Sequence, residues 1–308
     1  MQKYIFKQLI YSVSVIIGVI SVSFILLYVV PGDPVKLILG QRADAVSVEK
    51  VRTELGLNKP MYQQYFNFIV NASCGNLGKS YITNRDVVRT VLEKFPATAL
   101  LAFSALFISA IFGIFVGVIS SLKPGSFRDN FSMVTALAGI SIPQFVLGLL
   151  IILIFSSFLK ILPVSGYINS GWEHLILPMF TLSLRPAAII ARLTRSSMLD
   201  VLSKDYIRTA KAKGLSKSTV IIKHALRNAL NPVVTTISAS LAATLGGAFF
   251  VEYIFNWPGI GLLAIDSIMK LDYPMIQGTV LFTAVIFVII NFFVDIVYAI
   301  LDPKVKVA

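Results

Sequence analysis

Few side chains in this sequence have the type and spacing that chemistry requires. His174 and His224 are the only histidines and Cys74 the only cysteine. Two separated imidazoles and one thiol do not make the three- or four-ligand set that a transition metal needs. The segment 73–80, SCGNLGKS, falls one residue short of the phosphate-cradling loop GxxxxGK(S/T), because Ser73 stands where the first glycine belongs. Such a loop also needs a strand before it, a helix after it and a downstream acidic partner for Mg²⁺. None is evident, so ATP is not expected to bind here. No Ser-His-Asp or paired-carboxylate arrangement stands out either, and covalent catalysis is not expected. The tripeptide Asn71-Ala72-Ser73 matches a glycosylation sequon, a pattern short enough to arise by chance.

What remains are ionisable residues in or beside apolar runs: Arg185, Glu252 and Asp295. Groups in such positions are functional candidates by default, because charge is costly at bilayer depth. Arg185 has two readings: it faces a watery pathway and attracts a carboxylate, or it pairs with a carbonyl freed by Pro186 or with a partner subunit. Asp295 reads as a hydrogen-bonding residue of the inner interface rather than a proton carrier. Glu252, at the outer end of a run, reads as part of an external gate.

The elements that carry these residues are set by composition. The 308 residues are 56% hydrophobic and only 14% charged, with a mean hydropathy of +0.81, whereas a soluble domain carries about 25% charged residues. The apolar content excludes disorder, and the lone cysteine excludes a disulfide scaffold. The apolar residues gather into six runs, at 9–30, 97–122, 131–159, 175–193, 233–251 and 279–301, each close to the about 20 residues that a spanning helix needs. The expected fold is therefore an all-α membrane protein with six transmembrane helices. The first run follows Lys3 and Lys7, is too long for a signal peptide, lacks a cleavage site and stops at Pro31-Gly32-Asp33-Pro34. It reads as a retained span with its N-terminus inside. The fourth run, holding Pro178, Arg185 and Pro186, is the weakest, but its many apolar residues outweigh the about 2.5–3.5 kcal/mol that one central Arg costs.

Segment 35–94 is soluble in composition and reads as a small extracytoplasmic domain. It has a short amphipathic helix at 46–55 and a turn at Gly75-Asn76-Leu77-Gly78, and it is too small to hold a large core without leaning on the membrane part or a partner. The net charge of +12 is read by position rather than as a sign of nucleic acid, because cytoplasmic loops hold excess Lys and Arg. Loop 192–232 carries nine Lys/Arg against Asp200 and Asp205, while the loops assigned outside, 160–174 and 252–278, hold only Lys160 and Lys270. Both termini are thereby placed in the cytoplasm. In the fifth run, Ala239, Ala243 and Gly247 form one small-residue stripe and Ser240, Thr244 and Ala248 the next. Such stripes either let helices approach closely or line a polar path with Ser238.

Loop 192–232 is too long for a plain connection. Residues 205–213 read as a short helix with Gly214 as its C′ residue, followed by a second helix over 216–228 with Ser216 as N-cap, ending before Asn231-Pro232. Lys204, Arg208 and Lys211 share one face of the first helix, and Tyr206 and Ala210 another. From physics alone this is a solvated basic hairpin, a contact for anionic lipid, or a docking element.

The sequence 205–232, DYIRTAKAKGLSKSTVIIKHALRNALNP, resembles the EAA loop of ABC-importer permeases, and closely its form in the peptide/nickel group. Val30-Pro31-Gly32-Asp33-Pro34, Gly75-Asn76-Leu77-Gly78-Lys79-Ser80 and the stretch 191–199, ARLTRSSML, resemble that group too. So do Leu245-Gly246-Gly247, Glu252, Trp257-Pro258-Gly259-Ile260-Gly261, Asp272-Tyr273-Pro274 and Leu301-Asp302-Pro303. The loop departs from the general pattern: Arg208-Thr209-Ala210 stands in place of Glu-Ala-Ala and His224-Ala225-Leu226-Arg227 in place of Ile-x-Leu-Pro, so no salt bridge from the missing Glu is carried over.

The resemblance implies a type I, MetI-like permease core over 94–301, preceded by an N-terminal part over 1–93 and followed by a tail over 302–308. It implies a permease subunit of the bacterial cytoplasmic membrane, with a second homologous permease, two ATPase subunits and an extracytoplasmic solute-binding protein as partners. ATP and Mg²⁺ would be used by the ATPases, no cofactor would be held by this chain, and the cargo would be short peptides or nickel chelates. ATPase coupling would fall to Asp205, Tyr206, Arg208, Thr209, Ala210, Lys211, Gly214, His224 and Leu226. The translocation path or gate would draw on Arg185, Ser238, Ser240, Thr244 and Glu252. A secondary transporter is the competing class; it would show inverted repeats and a mid-membrane acidic pair, and a channel would show a filter-like loop or a charged ring. Neither pattern is visible.

Overall fold

The computed structural model describes residues 2–29, 35, 39, 44–54, 56–246 and 248–301. The expected stop at Pro31-Gly32-Asp33-Pro34, Gly247 of the small-residue stripe, the side chain of Asp295 and the tail from Asp302 lie outside the described residues. The described elements are helices, joined by loops with one antiparallel bridge between Lys79 and Asp86. α1 is Gln2–Val29, α2 Ala45–Glu54 and α3 Met61–Ser73. The short helix expected near 46–55 is α2, whereas α3 was not anticipated. α3 lies against α1, with the Tyr65 hydroxyl 2.6 Å from Ser21 Oγ and its ring edge-on to Phe24 at 5.3 Å. The segment that carries α3 thus touches the first helix.

α4 runs over Val87–Leu122 and begins ten residues before the expected span, because Asp86 caps it, accepting the Arg89 amide at 2.8 Å. Its polar first turns project beyond the apolar stretch, and the expected domain boundary at 93/94 falls inside it. α4 and α7 (Ile176–Leu202) form the spine of the molecule. They touch backbone to backbone: a Cβ at Gly113 would lie 2.7 Å from Ile190 Cβ, and one at Gly117 2.5 Å from the Ala191 carbonyl. Ser109 Oγ adds a cross-helix hydrogen bond to the Ser183 carbonyl at 2.8 Å. Gly113 and Gly117 are a GxxxG pair, the spacing that lets helix backbones approach closely in lipid.

Two expected spans and the second loop helix differ from what forms. The third, expected as one rod over 131–159, is α5 (Phe127–Ser141) and α6 (Gln144–Ile151), the latter continued by π-helix Ile152–Phe158, and the arms meet at 106°. Pro143 causes the break, since it lacks an N–H and drives the residue before it out of the α region; Ile142 is extended at φ −79, ψ 128. The loop helix expected to stop before Asn231-Pro232 does not stop. α9 (Lys217–Thr219), π-helix Val220–Leu226 and α10 (Arg227–Leu245) form one continuous rod with Pro232 inside it. Ala229 and Val233, 1% and 0% exposed, hold the helix in the bundle on both sides of the proline, so packing outweighs one lost hydrogen bond. The fifth span, expected to reach Val251, instead ends at Leu245 beside Gly246, and a separate α11 (Phe249–Ile254) follows.

α12 (Ile260–Met269) and α13 (Tyr273–Leu301) complete the chain. Among the described residues three helical stretches are long and apolar enough to cross a membrane, Val87–Leu122, Trp172–Leu202 and Tyr273–Val294, and the α5–α6 pair is a fourth if its arms act as one span. Two polar anchors fasten the elements between them. Ser80 Oγ donates to Asp272 at 2.5 Å and the Tyr81 amide to the same carboxylate at 3.0 Å, tying the loop before α4 to the α12–α13 junction. Burial, and then the Asp272 charge beside it, push the Tyr81 phenol up to about 12.

Candidate functional site

The basic loop folds into a compact seat for a short helix, α8 (Asp205–Ala212). Its sequence alternates roles at helical spacing. Ile207 and Ala210, 0% and 7% exposed, point inward and join Met198 of α7 with Val220, Ala225 and Ala229 of the following rod. Val118 of α4 and Leu226 pack against the same cluster. Asp205, Tyr206, Arg208, Thr209 and Lys211 remain exposed. Arg208 reaches Asp205 at 3.4 Å, and the Tyr206 hydroxyl accepts from Asn228 Nδ2 at 3.1 Å, bracing α8 against the rod.

Gly214 ends the helix as the C′ residue, at φ +75, while the Leu215 amide donates back to the Ala210 carbonyl at 3.4 Å. A Cβ there would meet nothing within 4 Å, so conformation alone favours glycine. Ser216 then caps the rod by accepting the Thr219 amide. Of the residues anticipated for this site, Ala210 and Leu226 belong to the seat, His224 is half-buried on the rod, and the others lie on or beside the outer face. Sequence reading missed Ile207, whose i,i+3 spacing with Ala210 was the available signal.

A second joint was also missed. Arg195 of α7 holds Asp129 of α5 through both carboxylate oxygens, at 2.5 Å and 2.7 Å, and Asp129 accepts the Gly125 amide at 2.9 Å. Asp129 is 1% exposed. The pair spans 66 residues, and no local pattern announces it.

The anticipated path residues divide. Arg185 is exposed near the middle of the apolar part of α7. Ser238, Ser240 and Thr244 are half-buried on α10, which packs against α7. Ser240 donates to the Thr236 carbonyl at 2.8 Å and Thr244 to the Ser240 carbonyl at 2.7 Å. Glu252 stands apart from them. It is 0% exposed, accepts from Thr98 at 2.8 Å and from the Gly261 amide at 2.6 Å, and so caps the start of α12 while gripping α4. Trp257 Nε1 donates to the Ala97 carbonyl at 2.8 Å beside it. This packing needs Gly259, since a Cβ there would lie 2.3 Å from the Glu252 carboxylate. Among the described residues no group of three or more His, Cys, Asp or Glu is placed to hold a metal ion.

A family model for binding-protein-dependent transport system inner membrane components matches residues 109–307, and the model for the N-terminal part of such components matches residues 1–102. The chain is similar to the glutathione transport system permease protein GsiC of Escherichia coli O6:H1, 42% identical over 306 residues and 99% of each chain. It is 41% identical, over the same share of each chain, to the protein of that name from Shigella dysenteriae serotype 1. Among solved structures it resembles a chain of the inward-facing MetNI methionine ABC transporter, with a TM-score of 0.55 at 20% identity, covering 69% of this chain and 96% of that one.

Proposed function

This chain belongs to the family of binding-protein-dependent transport system inner membrane components, and from that premise we propose that it carries short peptides, driven by ATPases docked on α8. It is the permease subunit of an ABC importer, a membrane component in which ATP hydrolysis is left to separate subunits. The short-peptide reading draws support from the relatives named for transport of glutathione, a tripeptide. A nickel chelate is the competing cargo. In the proposed assembly this subunit pairs with a second, related permease, above two ATPases and below an extracytoplasmic binding protein. Six helices cross the cytoplasmic membrane, with both termini on the α8 side, in keeping with the concentration of Lys and Arg in loop 192–232.

The observation that carries this reading is the seating of α8. Its apolar residues are cemented to α7, to α4 and to a rod that continues unbroken to Leu245, while its charged residues face outward. Interdigitated side chains transmit displacement because a packed interior is nearly incompressible. A push on α8 therefore moves α7 and α10 together instead of being absorbed in a loose loop. In the proposed cycle, closure of the ATPases on ATP swings these helices and opens the path outward, and the binding protein releases cargo into it.

The test is uptake by membrane vesicles containing the full complex and its binding protein. Peptide uptake should require ATP and persist when proton and sodium gradients are collapsed; uptake that follows a gradient without ATP would favour a secondary transporter. A cysteine in place of Lys211 should crosslink to an ATPase subunit, and its failure to do so at any stage of the cycle would remove α8 from the coupling role.

A further inference from the structure

Resting on the reading above, we propose that one side of α7, from Arg185 to Asp200, is a carboxylate track in the translocation path, with Arg185 and Arg192 as its successive binding points. At 3.6 residues per turn, positions 185, 189, 192, 196 and 200 fall in one narrow sector of the helix. Arg185, Arg192, Ser196 and Asp200 are all exposed, and Ile189 is partly so. Towards the N-terminal end of α7 the same sector is closed: Pro178, Thr181 and Leu182 are buried, and Leu182 packs in the cluster around Trp257 and Phe255. The track thus has a roof near Glu252 and runs open for about 22 Å towards α8.

Two observations and one physical cost assign it to a carboxylate rather than to lipid or to internal structure. Among the described residues Arg185 and Arg192 have no hydrogen-bonding or ion-pair partner, whereas Arg195, just outside the sector, is held by Asp129. A guanidinium on a lipid-facing side at mid-membrane is costly, while a watery passage removes that cost. The neighbouring α10 also exposes polar and small residues, Asn231, Ala239 and Ala243. The fork of an Arg side chain matches a carboxylate with two parallel hydrogen bonds, and every peptide with a free C-terminus brings one. The two guanidinium-bearing positions are about 10 Å apart along the helix, so the second can take over as the first lets go.

The experiment reads charge and access directly. In the full complex, with Cys74→Ser removing the single native thiol, Ile189→Cys is exposed from the α8 side to membrane-impermeant thiosulfonates of opposite charge. The anionic reagent should react at least tenfold faster than the cationic one. Arg185→Gln with Arg192→Gln should bring the two rates within about twofold, the two Lys variants should keep most of the preference, and a saturating free peptide should slow the anionic reagent. No reaction with either reagent, or a preference indifferent to both arginines, overturns the track. Peptide uptake by the Cys74→Ser complex is measured in parallel. Uptake without charge-selective labelling sinks the track alone, whereas labelling without peptide uptake keeps an anion track and sinks the peptide cargo.

Discussion

At the scale of single residues, small groups decide the geometry of the loop that is proposed to meet the ATPases. Gly214 adopts φ +75, a conformation that costs an L-residue about 1–2 kcal/mol. Gly214→Ala should therefore weaken binding-protein-stimulated uptake, and Gly214→Pro should abolish it while insertion into the membrane survives; unchanged stimulated ATPase and uptake in both variants would refute the role. Ala210→Trp should have the same effect as Gly214→Pro for a different reason, because the seat beside Ile207 and Met198 has no room for an indole. Tyr81 supplies a pH prediction. Its phenol is raised to about 12 from an ordinary 10, chiefly by burial, so the stability that comes from burying the neutral form is whole below pH 10 and fades as pH climbs from 10 through 12. The anchor of Ser80 and Tyr81 on Asp272 should hold unchanged from pH 6 to 9. Asp272→Asn should return the phenolate titration only part of the way, as read from the alkaline difference spectrum of the protein against its Tyr81→Phe variant.

At the scale of elements, the contact between α4 and α7 is the one that tolerates least. Gly113 and Gly117 face Ile190, Ala191 and Thr194 closer than any Cβ allows. Gly117→Leu should separate the helices and lower the yield of assembled complex sharply, and Gly117→Ala should cost about 1–3 kcal/mol, read as a fall in thermal stability in detergent. The Arg195–Asp129 joint belongs to this scale as well, since it ties the turn before α5 to α7. Asp129→Asn leaves a partly buried guanidinium without its counter-charge, and a loss of about 1–3 kcal/mol is expected. Exchanging the two residues, Asp129→Arg with Arg195→Asp, should recover part of that loss if the joint is electrostatic, and none if Asp129 serves only to accept from Gly125.

At the scale of the whole molecule, the described helices make two anchored ends around one spine. Glu252, Thr98 and Trp257 lock α11 and α12 to α4 at one end, and the α8 seat locks α7 to the 217–245 rod at the other. Between the two ends the α5–α6 pair is bent by 106° at Pro143. If α8 lies in the cytoplasm, a cysteine replacing Thr209 should label with an impermeant thiol reagent only in inside-out vesicles, while Cys74, exposed at the far end of α3, should label only from the opposite side. Labelling of both from the same side would overturn the proposed orientation.

Much of this was legible in the linear order of residues. Apolar runs longer than a bilayer is thick, basic residues gathered in loop 192–232, the cap at Ser216 and the left-handed Gly214 are local signals, because each depends on neighbours within a turn or on the solvent that a segment prefers. The breaks and joints were not legible in that way. Pro143 bends its helix by 106° and Pro232 leaves its own intact, since only the second is flanked by fully buried neighbours. Glu252, read as part of a gate, lies buried where it caps α12, and Asp129 found Arg195 across 66 residues. Those outcomes are set by which side chains meet when helices pack, and the free energy of such meetings depends on partners that no window of sequence contains.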